Sequence, residues 1–232
     1  MRLLDLFCGA GGAAMGYSRA GFEVVGVDNR LQPRYPFEFH QADALEYVAE
    51  HWNEFDAIHA SPPCQFYSRL RHLPWLRDKV YWRSIPPTRE ALIATGRPYI
   101  IENVEDACWD MVNPPIICGQ AIGLNLYRHR CFEAWPMLLL APSHQKHTGR
   151  LAAGKNSMAQ RYAVSHVGVK EPTGVNAWNG VAGHQAGMNR HHKAMGIDWM
   201  TNAELAQAIP PTMTELVGKQ LMAYLELTPR GE

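Results

Sequence analysis

A chain of 232 residues, 47% of them apolar, suits one α/β domain of ordinary size with a small appendage, and its composition excludes a disordered chain. Its 22 basic and 22 acidic side chains cancel, so net charge alone points to no polyanionic partner. No apolar run approaches the length of a membrane span, and Met1 leads directly into a predicted strand. A soluble, cytoplasmic protein without a signal peptide is therefore expected.

The first predicted strand is RLLDLF (residues 2–7). It runs into CGAGGAAMG, whose glycines open a helix that extends to about Ala20. FEVVGVD (residues 22–28) is a second strand, closed by an acid. FEFHQADALEYVAEHW supplies a third short strand and a helix beginning near Asp43 and Ala44. DAIHAS gives a fourth strand, TREALIATG a helix and PYIIENV (residues 98–104) a fifth strand. Strands alternating with helices at this spacing predict a mostly parallel sheet with helices on both faces. RHRCFEAW, from Arg128, reads as a further strand. The tail predicts a helix from about Thr212, capped by Thr212 with Glu215 three residues on.

Three divisions are expected: residues 1–142, residues 143–196 and residues 197–232. The middle one is rich in Gly, Asn and His and has weak periodicity. There Lys146, Arg150, Lys155, Arg161, Lys170, Arg190 and Lys193 face a single acid, Glu171. The stretch after Cys64 is also basic, with Arg69, Arg71, Arg77, Lys79, Arg83, Arg89 and Arg97 against Asp78 and Glu90. Two basic segments interleaved with Tyr67, Trp75, Tyr81, Trp82 and Trp178 favour a phosphate-rich partner over an ordinary solvated face.

Glycines directly after a first strand let the backbone approach a ligand closely and aim a helix N-terminus at it. Asp28, closing the second strand, then stands where this architecture holds a ribose hydroxyl, and Asp43 follows as a further acid after the third strand. Together they indicate a nucleoside-containing cofactor at the carboxyl ends of the strands. They do not separate a dinucleotide from S-adenosylmethionine.

In ASPPCQFYS two prolines end the fourth strand and fix the backbone just before Cys64. That either positions a reactive thiol or is an ordinary turn before a small buried residue. The other cysteines, Cys8, Cys108, Cys118 and Cys131, form no CxxC pair, so packing roles are expected, without a disulfide framework or a zinc knuckle. His144, His147, His184, His191 and His192 match no standard metal spacing, and no metal is expected.

DLFCGAGG, SPPCQFYS and IENV occur in this order, and each resembles a motif of the cytosine C5-specific DNA methyltransferases. RHR (residues 128–130) resembles the family's arginine motif, and AQAIPP its closing motif. The resemblance covers roughly residues 1–134 and 196–227. It implies a Rossmann-like, S-adenosylmethionine-dependent methyltransferase fold and a compact, phage-type member acting on the DNA of a bacterial or phage-infected cell. By the same resemblance Cys64 is the nucleophile that adds to C6 of cytosine, making C5 nucleophilic towards a methyl donor. Glu102 would contact ring N3 and the exocyclic amine, and Arg128 and Arg130 would hold the O2 side. Phe7, Gly9, Ala10, Gly11, Gly12, Asp28, Asn29, Asp43, Ala44 and Pro63 would line the S-adenosylmethionine pocket. Gln65, Ser68, Arg69, Arg71, Lys155 and Arg161 would face double-stranded DNA with the target cytosine flipped out. A monomer is expected.

The chain departs from the family pattern at four places. Leu126 stands where a glutamine usually precedes the first arginine, and AQAIPP replaces Gly-Asn-Ala-Val-Pro-Pro. Asp28 replaces a usual glutamate, and the span between Arg130 and Gln207 is short for the family's target-recognition domain. Three other readings stay open. The first is a related enzyme modifying pyrimidine C5 in RNA or a free nucleotide, or with another one-carbon donor. The second is a silent DNA-binding relative, which would need neither Cys64 nor Glu102. The third is a nicotinamide oxidoreductase, which explains the glycine turn but neither Pro-Cys-Gln nor Glu-Asn-Val.

Overall fold

A computed structural model describes residues 1–68, 71, 76, 78–144, 150–152, 177–179 and 189–228. Strands β1 (Arg2–Leu6), β2 (Glu23–Asp28), β3 (Glu38–Gln41), β4 (Ala57–Ala60), β5 (Tyr99–Val104), β6 (Ile116–Cys118) and β7 (His129–Trp135) form one sheet. Its order is β3-β2-β1-β4-β5-β7-β6. The first five strands are parallel, as the alternation of strands and helices predicts. The order reverses between β1 and β4, which lie side by side, so the loops leaving both strands open onto one crevice.

β1 sits at the centre and is buried on both sides, which is why it reads as a continuous apolar run. Leu3 faces α1 (Gly12–Arg19) and α6 (Pro211–Leu227) with Ala57, Ile100 and Phe132. Leu4 and Leu6 face α2 (Ala44–His51) and α3 (Ile85–Thr95) with Ile58 and Ile101. α1 and α6 pack so closely that Thr214 Oγ1 donates to the carbonyl of Ala13 at 2.9 Å. A smaller cluster joins Ala10 and Leu126 to Met195, Ile197, Met200 and Leu205, bringing the C-terminal part against the glycine turn.

Four features differ from the sequence reading. The strand expected from Arg128 starts at His129, and it pairs antiparallel with both β5 and β6. Helix α6 starts at Pro211 after Pro210, with no side-chain cap. Thr212 lies inside it, because prolines already remove the amide donors a cap would satisfy. The capping box belongs instead to Thr201 and Glu204, which open α5 (Asn202–Gln207). Cys108 and Cys131 form a disulfide rather than merely packing. The turn after β5 folds back over β7 and brings their Cα atoms to 6.1 Å.

Within residues 143–196 the described elements are a parallel pair, β8 (Arg150–Ala152) with β9 (Ala177–Asn179), and helix α4 (Asn189–Met195). Among the described residues, no helix is long and apolar enough to cross a membrane.

Candidate active site

The two prolines after β4 are held from three sides. Asn103 Nδ2 donates to the carbonyl of Pro62 at 2.9 Å, and Ser84 Oγ donates to that of Pro63 at 2.9 Å. From the third side, the Tyr67 hydroxyl donates to Asp110 at 2.8 Å and accepts from the Ile85 amide at 3.2 Å, tying the end of the turn to the start of α3. Behind the prolines the amides of Tyr67 and Ser68 both bond the carbonyl of Cys64, closing one helical turn. Cys64 is thus fixed by backbone geometry and by neutral hydrogen bonds to its two predecessors. Its thiol is half-buried and unbonded to another cysteine. Burial raises its pKa, the charges of Arg130 and Arg128 lower it, and that of Glu102 raises it.

Glu102 is buried near the end of β5, and Arg130 Nε lies 2.8 Å from its Oε1. That oxygen has no aligned hydrogen-bond donor among the described residues, which leaves it able to meet a ligand. Burial raises the carboxyl's pKa while Arg130 and Arg128 oppose the shift. A thiol and a carboxyl poised towards its neutral form, flanked by two guanidiniums, can together add to an electron-poor ring carbon and protonate the ring nitrogen. Of the two arginines only Arg130 pairs with Glu102. Arg128 is buried and donates to the carbonyls of Ala206 and Ala208 at 3.3 and 2.8 Å, so it clamps the closing AQAIPP segment. Those two bonds hold the closing segment against the site.

The expected cofactor residues other than Pro63, which lies in the turn after β4, follow the carboxyl ends of β1 to β3. Gly9 has φ +50°, with open space where a side chain would project, and its amide donates to Asp28 Oδ2 at 3.1 Å. Asp28 Oδ1 accepts from the Arg30 amide at 2.9 Å. Phe7 lies 6.3 Å from the ring of Trp82, which is exposed. Other members have duties within the chain. A side chain at Gly12 would lie 2.5 Å from the carbonyl of Ile209, so the close approach there is to the chain's own closing segment. Asp43 caps α2 by accepting from Leu45 and Glu46. Ala44 belongs to the core under α2, and the carbonyl of Asn29 accepts from Gln41. Ala10 and Gly11 are buried, and the carbonyl of Ala10 accepts from Trp199 Nε1 at 2.9 Å.

Asp5, in the DLF triplet, was not singled out by sequence. It is fully buried, and burial raises its pKa well above the carboxylate range. Its Oδ2 accepts from the Tyr35 hydroxyl at 3.5 Å, while Oδ1 has no hydrogen-bond donor among the described residues and lies 3.9 Å from His59 Nε2. Next to it His59 is held between Tyr17 and Ser61, and burial lowers its pKa to about 3, so its ring is neutral. Asn103, Ser84 and Trp199 were also missed, and Trp82 was read only as one of the aromatics among the basic residues. Only Asn103 carried a signal, as the middle residue of Glu-Asn-Val.

Of the residues expected to face DNA, Gln65 is exposed and Ser68 half-buried. Arg71 donates to the carbonyl of Phe66 and lies over its ring. Arg69, Lys155 and Arg161 lie outside the described residues. The basic excess after Cys64 is partly internal. Arg83 pairs with Asp110, Arg89 makes a two-pronged pair with buried Glu133, and Arg97 lies over Trp52. A cavity lined by Met1, Asp56, Arg97 and Tyr224 lies at the opposite, amino ends of β1, β4 and β5, away from this chemistry.

Residues 1–81 match the family model for C-5 cytosine-specific DNA methylases, the stretch that holds both the glycine turn and Cys64. The type II methyltransferase M.FnuDI of Fusobacterium nucleatum is 32% identical over 85 residues, covering 34% of this chain and 25% of that protein. The matched stretch thus spans about a quarter of that relative's length. A prophage-encoded E. coli protein titled a DNA modification methyltransferase superposes with a TM-score of 0.56 at 14% identity, over 97% of this chain and 99% of that one. The Dnmt2 methyltransferase of S. pombe gives 0.53 at 12% identity, over 99% of both chains. The Entamoeba histolytica methyltransferase EhMeth gives 0.54 at 13%, over 97% and 98%. At such identities the likeness is one of fold, and it covers nearly the whole chain. The first 81 residues of this chain thus resemble the C-5 cytosine-specific DNA methylases in sequence, and its fold is the one shared by the methyltransferases it superposes on.

Proposed function

We propose that this protein transfers a methyl group from S-adenosylmethionine to C5 of cytosine in double-stranded DNA. The observation that carries the proposal is the pinned proline turn, which sets the Cys64 thiol within electrostatic reach of the buried Glu102–Arg130 pair. A silent DNA-binding relative would need neither the thiol nor the carboxyl.

The residues around the glycine turn fit the cofactor. Open space faces Gly9, and Asp5 Oδ1 is a buried oxygen without a donor among the described residues, as expected where a polar ligand group completes the site. Phe7, Gly9 and Asp28 would hold it, with Asp5 beneath. When bound, S-adenosylmethionine supplies an electrophilic methyl group. The chain's residues then act on the cytosine. The Cys64 sulfur bonds to C6 as a thiolate, and the displaced ring electron pair is accommodated as Glu102 protonates N3. C5 becomes nucleophilic and takes the methyl group. A proton acceptor then removes the C5 hydrogen, N3 returns its proton to Glu102, the C6–S bond breaks and Cys64 leaves as the thiolate. Arg130 steadies Glu102 throughout, and Arg128 keeps the closing segment against the site. Because the thiol is half-buried at the foot of the cleft, a base stacked in a duplex would have to swing out to meet it.

The basic segment 143–196 would meet the DNA backbone, with phosphate contacts supplying most of the affinity and few side chains reading bases. In this reading residues 1–142 and 197–232 build the catalytic part. The test is incubation with DNA and labelled S-adenosylmethionine, followed by nucleoside mass spectrometry and bisulfite sequencing. Labelled 5-methylcytosine at a short sequence context is expected. Product formed equally well without S-adenosylmethionine, or only on RNA or free nucleotides, would overturn the proposal.

A further inference from the structure

The antiparallel edge of the sheet brings together three side chains that the chain order keeps apart. Cys118 on β6 and His129 on β7 are directly opposed in the register, and His144 reaches them from beyond β7. One donor atom from each, a sulfur and two ring nitrogens, lies within 4.8 Å of the others. The two imidazole Nε2 atoms are 3.0 Å apart. A tetrahedral zinc ion with bonds of about 2.0–2.1 Å to nitrogen sets two such nitrogens roughly 3.3 Å apart, so little movement is needed.

The protonation pattern suits a metal as well. His129 Nδ1 lies 2.8 Å from a Glu105 carboxylate oxygen, which only accepts. The ring proton therefore sits on Nδ1, and in the neutral ring the Nε2 lone pair is turned towards His144. A carboxylate behind a histidine in this way fixes the tautomer and raises the ring's basicity in metal sites. Cys118 is buried and unbonded to another cysteine. One thiolate and two imidazoles form a donor set that zinc prefers, and a tetrahedral ion takes a fourth ligand beside them.

We propose that Cys118, His129 and His144 bind one zinc ion, with Glu105 orienting His129. The ion ties the β6–β7 edge to the point where the chain enters residues 143–196. It would thus fix the base of the segment proposed to meet DNA, next to Arg130. The inference stands on these four residues and does not depend on methyl transfer.

The test uses the full chain without an added histidine tag, reduced and stripped of metal. Titration with zinc and with cobalt(II) should each saturate at one equivalent. Cobalt should give tetrahedral visible bands and a near-ultraviolet thiolate-to-cobalt absorption. Cys118→Ser should remove the thiolate absorption, and Cys64→Ser should keep it. Since Cys118 is buried and its variant can misfold, exposed His144 supplies the second variant. His144→Ala should weaken binding at least about tenfold, and Glu105→Gln about 10–100-fold, as for other residues behind metal ligands. Absence of stoichiometric uptake, a thiolate band that follows Cys64 instead of Cys118, or unchanged affinity in a folded His144→Ala variant would each overturn the site.

Discussion

The proline turn after β4 and the outer edge formed by β6 and β7 belong to one sheet, yet they are held by different contacts. The turn is fixed by neutral hydrogen bonds from Asn103 and Ser84 to two proline carbonyls. The edge is fixed by an ion pair, a histidine–carboxylate hydrogen bond and a covalent link: Arg89 with Glu133, His129 with Glu105, and Cys108 with Cys131. Neutral bonds position Cys64 without setting a fixed charge against its thiolate, which leaves its ionisation to burial, which raises its pKa, and to the charges of Arg130, Glu102 and Arg128. At the edge, arginines that look free along the chain are consumed by buried acids. Damage to the turn side should therefore be felt mainly in activity, and damage to the edge mainly in stability.

The largest expected effect tests the activity half of that contrast. Glu102→Gln keeps the shape of the side chain but cannot donate a proton in the same way, and should lower kcat by about 10²–10⁴-fold. Its melting temperature should stay near wild type, because the carboxylate's burial is itself unfavourable. A variant that melts early with near-normal kcat would place Glu102 among structural residues instead.

Arg89→Met tests the other half. It leaves Glu133 buried with only the Tyr99 hydroxyl and the Val112 amide as donors. Loss of one partner of a buried pair costs about 3–5 kcal/mol, and the remaining donors favour the lower end. Chemical denaturation should show that loss, while kcat of the folded fraction stays within a few-fold of wild type. A stable but inactive variant would break the contrast.

The turn itself can be loosened by degrees. Asn103→Ala removes the bond to Pro62 and leaves a buried carbonyl and the Val104 amide unpaired, at about 1–3 kcal/mol. Ser84→Ala should cost about 1 kcal/mol. In both, kcat should fall further than stability alone explains, and more in Asn103→Ala. Equal kcat in both folded variants would mean that the pins do not position the thiol.

The smallest effect is a displacement of the pH profile. Burial raises the Cys64 pKa, so the thiolate fraction, and with it the single-turnover rate, should still be climbing above the pH at which an ordinary thiol ionises. Arg130 opposes that rise. Arg130→Gln should therefore move the ascending limb to higher pH, and a limb moved to lower pH would reverse the assigned electrostatics.

The same contrast explains what the sequence made legible. The parallel half was readable because apolar strands, a glycine turn and a proline stop are local patterns, and each of β1 to β5 lies where its pattern stands. Cys64 and Glu102 were readable because each sits inside a short motif. The edge was not. Pairing of β6 with β7, the Cys108–Cys131 link and the meeting of Cys118 with His129 depend on a register between distant segments that no local pattern encodes. The supporting roles of Ser84 and Trp199 were hidden for the same reason. Thr201 with Glu204 carried a local capping signal, but the prolines further on drew the helix start away from it.

The central claim is that Cys64 forms a covalent bond to C6 of the target base. Duplex DNA carrying 5-fluorocytosine in the methylated context should trap the wild-type protein in the presence of S-adenosylmethionine, because fluorine at C5 blocks the final elimination. The account predicts a denaturation-resistant complex whose cross-linked peptide contains Cys64, and none with Cys64→Ala. A cross-link through another residue, or wild-type methylation by Cys64→Ala, would contradict it.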